Sequence, residues 1–268
     1  MSIQALYTAA TGMESLQQKL DVIANNLANV NTTAFKQDRA NFEDLFYRNE
    51  VLPGLKDADG NVTPTGIAFG TGARVQSTQS DFRQGSFEQT GNQYDVAING
   101  NGFFKVKDPI TQSDLFTRAG NFSVNANGQI VIGSATVGRL LEPTITIPQD
   151  TTQVSISSQG IVSVQQANNP QMQQVGQITL SRFINPQGLL KLGENLYQET
   201  DASGPPTDAQ PGSVGMGTLQ QNVLEASNVQ PVQQLIDLIT TQRSFELNSQ
   251  AINAGDQILQ EIANLRRQ

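Results

Sequence analysis

A chain with no His, no Cys and no Trp keeps carboxylates as its main acid–base groups near neutral pH. Two of them flanking a glycosidic bond could hydrolyse it, one as acid and the other as base or nucleophile. Asp81, Glu88, Asp95, Asp108 and Asp114 are the candidates in a β-rich middle region. Their spacing forms no motif. Asp95 opens a run of strand type and the others sit near turns, where solvated surface carboxylates belong. The same absences remove the Ser-His-Asp triad, the thiolate nucleophile, disulfides and every imidazole or thiolate metal ligand. Gly100-Asn101-Gly102 lacks the third Gly of a dinucleotide loop, and Asp59-Gly60-Asn61 lacks the remaining ligands of a calcium loop. The residues therefore predict no enzyme: no catalytic residue, no cofactor and no metal.

What remains is surface chemistry. Sixteen basic against 24 acidic residues give a net charge of −8, which leaves no basic footprint for nucleic acid. The 33 Gln and 22 Asn supply polarity without charge. Such a surface forgoes self-repulsion and suits a chain that stacks on copies of itself. Met1 to Leu20 has no basic n-region and no continuous apolar run, so no cleavable signal peptide is expected. No stretch approaches the roughly 18 apolar residues of a membrane span.

The elements that would carry this surface lie at the two ends. Leu6, Met13, Leu20 and Leu27 recur every seven residues, and the interior of that run has no Pro and one Gly, Gly12. The spacing predicts a helix over about residues 2–29. Leu238, Phe245, Ile252 and Leu259 repeat the pattern, with Leu235, Ile239 and Ile258 beside them. Ser227 or Asn228 is placed to cap this helix and Pro231 to open it, which predicts 229–266 with Gly255 as its weak interior point. At about 1.5 Å per residue each helix outruns a small domain. Both stripes are therefore expected to bury against each other and against neighbouring subunits.

The middle reads as β. Asp95–Ile98 and Phe103–Val106 flank Asn99-Gly100-Asn101-Gly102 and predict a hairpin. Phe122–Val124 with Gln129–Ile132, and Val154–Ile156 with Ile161–Val164, flank further Gly-bearing turns, and Val175–Ile184 reads as one longer strand. The expected fold class is α+β: long N- and C-terminal helices form a coiled-coil-like layer, with a central antiparallel β domain. The boundaries are 1–35 for the first helix, 36–70 for an extended linker, 71–215 for the β domain and 216–268 for the C-terminal segment and helix.

Ala24-Asn25-Asn26-Leu27-Ala28-Asn29-Val30-Asn31-Thr32-Thr33-Ala34-Phe35-Lys36 resembles the N-terminal signature of the axial proteins of the bacterial flagellum, the rod and hook family. Its matching positions are Asn25, Asn26, Leu27, Asn29, Phe35 and Lys36. Ala34 stands where the family usually has Gly, and Ala resists the positive φ that Gly permits. Gly70–Val75, Gln84-Gly85, Asp95–Phe104, Phe183–Leu189, Gly193–Tyr197 and Leu224–Val229 are similar to the family in order and spacing, and the length fits its rod members. The resemblance implies a hollow helical homopolymer with an inner helical layer around a channel. It also implies rod and hook proteins, the bushing rings of the peptidoglycan and outer membrane, and the flagellar type III export apparatus as partners, without nucleic acid or membrane insertion. A periplasmic glycan-binding or glycan-cleaving β protein is the alternative.

Overall fold

The computed structural model describes residues 3–54, 62, 64–133, 138–167 and 169–265. They form two compact units: Met1–Ala28 with Asp38–Ser80 and Gln230–Gln268, and Asn29–Gln37 with Asp81–Val229.

The first unit holds α1 (Ile3–Ala28), β1 (Asp38–Asp44), β2 (Tyr47–Val51), β3 (Ile67–Gly70), β4 (Ala73–Ser80) and α2 (Pro231–Leu265). Leu6 lies where a Cβ on Gly255 would sit, Asn248 where one on Gly12 would sit, and the Asn26 amide donates to Gln234 Oε1 at 3.2 Å. Numbers fall along one helix as they rise along the other, so α1 and α2 are antiparallel. Gly255 is less a weak point than the site of closest approach to Leu6. β1 pairs antiparallel with β4, and β2 with β3.

Three strands thus occupy the stretch expected as an extended linker. Its dense polar residues hide the pattern, but β1 finds a partner in β4 and a clamp on its first residue. Asn26 Oδ1 accepts from the Asp38 N–H and its Nδ2 donates to the Asp38 carbonyl, both at 2.8 Å. That pair of bonds satisfies both backbone polar groups of the strand's first residue. The Asp59-Gly60-Asn61 turn lies outside the described residues. α2 opens on Pro231, whose missing N–H costs nothing in a first turn. Ser227 and Asn228, expected as caps, are engaged elsewhere: Ser227 Oγ accepts from Val229 N–H, and Asn228 holds Gln37, Asp81 and Arg83.

The second unit carries β5 (Phe87–Gln89), β6 (Val96–Asn99), β7 (Phe103–Lys107), β8 (Asp114–Thr117), β9 (Ser123–Val124), β10 (Ile130–Gly133), β11 (Gly138–Glu142), β12 (Thr151–Ile156), β13 (Ile161–Gln166), β14 (Asn169–Gln177), β15 (Leu180–Arg182), β16 (Leu190–Gly193), β17 (Leu196–Gln198), β18 (Thr207–Ala209), β19 (Thr218–Gln221) and β20 (Val223–Glu225). The largest sheet runs β16-β17-β8-β7-β11-β10-β9, with β15 joining β7 to β18; β12-β13-β14, β6-β19 and β5-β20 form smaller ones. All these pairings are antiparallel. Ile98, Phe104, Val106, Leu141, Val162 and Leu180 are fully enclosed in the core. The chain is α+β with helices at both ends and an antiparallel β centre.

Two details depart from expectation. β6 and β7 form no hairpin: β6 pairs with β19, while β7 pairs with β8, β11 and β15. Gly100 and Gly102 have φ of 109° and 139°, values outside a two-residue hairpin turn, where φ is near +60°. Arg118 Nη1 donates to both of their carbonyls, at 2.9 and 3.0 Å, and fixes the segment as a crossing between sheets. Likewise Val175–Ile184 is not one strand. It breaks at Ile178, whose N–H donates to Gly160 at 2.8 Å, and resumes as β15 in another sheet.

Candidate assembly surface and a buried ion cluster

Seen from α1, the seam of α2 has two lines. Gln234, Thr241, Asn248 and Gly255 recur every seven residues; Gln234 and Thr241 are buried, and Asn248 and Gly255 meet α1. Four residues on from each lie Leu238, Phe245, Ile252 and Leu259, all half-buried. Positions four apart share a helix face, so the apolar stripe read from the sequence is one line of a seam whose other line is polar or small. Leu6, Met13, Leu20 and Leu27 are also half-buried on α1.

The opposite face of α2 is more unusual. Val232, Leu235, Ile236 and Ile239 are 46 to 71 % exposed and follow the i, i+3, i+4, i+7 pattern of a core-facing stripe. At 100° per residue this row lies about half a turn from Gln234 and Thr241. α2 is therefore apolar on the side turned away from α1, where Val232, Leu235, Ile236 and Ile239 form one exposed row. Leu235 and Ile239, expected beside the apolar stripe, lie on this far face. Val232 and Ile236 complete the row at the same helical spacing.

In the second unit, Lys36 and Glu225 have no side-chain exposure and their charged atoms are 2.6 Å apart. Glu225 Oε1 also accepts from Gly85 N–H at 3.0 Å, and Oε2 from Arg118 Nε at 2.9 Å. Two cations thus meet one anion. The surplus positive charge is met by carbonyls: Lys36 Nζ donates to Arg83 at 2.7 Å, and Arg118 to Gly100 and Gly102. Burial pushes the Glu225 carboxyl up, but Arg118 and then Lys36 outweigh it and hold the pKa below the usual carboxylate range. Burial pulls the Lys36 ammonium down more than Glu225 restores it. Gly85 has room for no side chain, because its Cβ would strike the Ala226 carbonyl. That clash accounts for the Gln84-Gly85 motif.

The signature residues hold the chain's own structure. Asn26 is buried on the β1 clamp, Leu27 is half-buried and Asn25 is exposed. Asn29 accepts from Thr32 through both carbonyl and side chain. Phe35 lies under the Lys191 ammonium, 5.4 Å from its ring centre, and Lys36 anchors the ion cluster. Arg118 and Glu225 were missed as site residues. No local signal marks them, since the partners lie 107 and 189 residues apart.

Ala34 takes the left-handed conformation that its type resists, with φ of 56°, and its N–H donates to the Glu225 carbonyl at 2.7 Å. Ala34→Gly relieves about 1 kcal/mol of backbone strain but loses a buried methyl worth about 0.8 kcal/mol and loosens the unfolded chain. Its stability should stay within about 1 kcal/mol of the parent, whereas Ala34→Val should cost more than about 2 kcal/mol. Urea midpoints of the two variants test this, and an Ala34→Val variant as stable as the parent would refute the left-handed assignment.

The five candidate carboxylates are each engaged by other groups or open to solvent. Thr111 holds Asp108 below the ordinary carboxylate range, and at Asp81 the upward push of burial is outweighed by Arg83. A general acid needs the opposite shift. Asp114 pairs with Lys105 at 2.9 Å, Asp95 accepts from Asn92 at 3.1 Å and Glu88 is exposed on β5.

Three family models match the chain: "Flagella basal body rod protein" over residues 6–36, "Flagellar hook protein FlgE/F/G D1 domain" over 97–164, and "Flagellar basal body rod FlgEFG protein C-terminal" over 220–265. The flagellar basal-body rod protein FlgG of Caulobacter vibrioides is 45% identical over 98% of this chain and 100% of its own length. FlgG of Buchnera aphidicola is 43% identical over the same shares. The rod protein FlgF of Caulobacter vibrioides is 38% identical over 90% of this chain and 89% of its own length.

Proposed function

The chain belongs to the flagellar rod and hook family, and on that premise we propose that it is a structural subunit of the distal rod of the flagellar basal body. It polymerises into a straight, hollow shaft that carries torque to the hook for motility. The observation that carries the polymer is the row Val232, Leu235, Ile236 and Ile239, apolar and exposed on a helix whose other face is already occupied. In the polymer this row, with the flanks of the stripes Leu6-Met13-Leu20-Leu27 and Leu238-Phe245-Ile252-Leu259, packs against helices of neighbouring copies in a coiled-coil-like inner layer. Each large side chain so covered contributes about 1.5–3 kcal/mol.

Rod and hook neighbours, the bushing rings and the flagellar export apparatus complete the set of partners, and the shaft crosses the periplasm. Its function is mechanical, without catalysis. A related rod subunit or a hook subunit is the second reading, supported by the FlgF similarity at lower identity. Electron microscopy of the purified, concentrated protein separates them. Straight tubes with a central channel are expected, curved supercoiling tubes would favour the hook, and a persistent monomer would overturn the polymer.

A further inference from the structure

Three Asn-Gly steps occur in the chain, at Asn99, Asn101 and Asn127. In this dipeptide the Gly nitrogen can attack the Asn side-chain carbonyl, because no side chain hinders its approach. Two of the steps are restrained. The Gly100 N–H donates to Gln84 Oε1 at 3.1 Å and Asn99 is held in the β6–β19 ladder. The Gly128 N–H donates to the Asn125 carbonyl at 2.9 Å, inside a turn where Asn125 Oδ1 also accepts from the Asn127 N–H.

The third differs in three respects. Among the described residues nothing accepts from the Gly102 N–H. The carbonyl of the same peptide group, that of Asn101, accepts from Gly217 N–H at 2.7 Å, which draws electron density away from the Gly102 nitrogen and makes its proton more acidic. The Arg118 guanidinium, shared with Gly100 O at 2.9 Å, donates to Gly102 O at 3.0 Å and favours the negative charge that forms when the proton leaves. Asn101 itself is exposed, and with Gly102, Arg118 and Arg182 it lines a cleft of about 370 Å³ that admits water.

The geometry points to Asn101 as a site of spontaneous covalent modification, deamidation through a cyclic imide. The Gly102 nitrogen gives up its proton and bonds to Asn101 Cγ. The Cγ–NH2 bond breaks, and ammonia leaves with the proton returned by solvent. Water then opens the imide at either carbonyl, giving aspartate or isoaspartate, so that Asn and water become acid and ammonia with no change of oxidation state. The product is a carboxylate in a cleft lined by two arginines. A long-lived structural subunit would accumulate it with age.

Incubating the full-length protein at neutral pH, with peptide mapping by mass spectrometry over time, tests the assignment. The one-mass-unit gain and the isoaspartyl product should build up roughly tenfold faster at Asn101 than at Asn99 or Asn127, the ratio that one restraining hydrogen bond sets. In urea the three sites should converge, and Asn101→Gln should remove the dominant product while leaving the fold intact. Equal rates at the three sites in the folded protein, or a faster rate at Asn99 or Asn127, would overturn it.

Discussion

Glu225→Ala should lower the free energy of unfolding by about 3–5 kcal/mol, the cost of breaking a buried ion pair from one side. The loss leaves Lys36 and Arg118 facing each other inside the second unit with no anion, and it orphans the Gly85 N–H. Lys36→Met is the informative comparison, because it leaves the Glu225–Arg118 pair neutral and bonded. It also removes an ammonium that burial already penalises. Its cost should be no more than about half as large. Urea denaturation of the unpolymerised chain measures both; equal losses from the two substitutions would show that Lys36, not Arg118, is the partner that matters.

The cluster also dictates a pH dependence. Glu225 titrates lower in the folded chain than in the unfolded one, so its contribution is complete above the unfolded value, about 4.3. It is lost as pH falls through the folded pKa, where the native carboxylate at last takes up its proton. Lys36 runs the other way in cause but not in sign. Its folded pKa is lowered, so the unfolded chain holds the extra proton up to about pH 10.4, and stability from this group rises as pH rises through that window. Glu225→Gln should flatten the acid limb and, because the carboxylate that raises the Lys36 pKa is gone, extend the Lys36 window toward lower pH.

Ile236→Asp should abolish self-assembly while sparing the subunit. Ile236 is 50 % exposed, and a substitution there should change subunit stability by less than about 0.5 kcal/mol. In the polymer the same change forfeits about 1.5–3 kcal/mol of apolar burial and desolvates an unpaired carboxylate for about 1–3 kcal/mol more. At 1.4 kcal/mol per decade the critical concentration should climb by roughly two to four orders of magnitude. Sedimentation and electron microscopy read the polymer, and circular dichroism reads the subunit. Ile236→Leu should polymerise like the parent. Tubes from the Ile236→Asp variant at parental concentrations would remove this row from the interface.

Much of this architecture is legible in the residues. The heptad spacing of Leu6 to Leu27 and Leu238 to Leu259 marks both helices to within a few residues of Ile3–Ala28 and Pro231–Leu265. Alternation and Gly-bearing turns mark the β9–β10 and β12–β13 pairs, because a hairpin is a local object. β6 and β7 defeat the same rule, since Arg118, a residue distant in sequence, decides how Gly100 and Gly102 bend. The strands at 38–51 were lost among charged residues, because β1 is held by an Asn26 clamp and by β4, neither of which periodicity reports.

The sequence by itself determined the helical ends, the β centre, the poverty in reactive side chains and the family, since each is written in residue types or in spacing over a few turns. Tertiary structure decided which face of α2 is covered. Both faces are apolar enough to read as a stripe, and only the approach of Gly12 and Leu6 shows that Asn248 and Gly255 lie inward. It also decided that Lys36, Arg118 and Glu225 share one buried site. Their attraction depends on distance in space and on the exclusion of water, and neither quantity exists until the chain has folded.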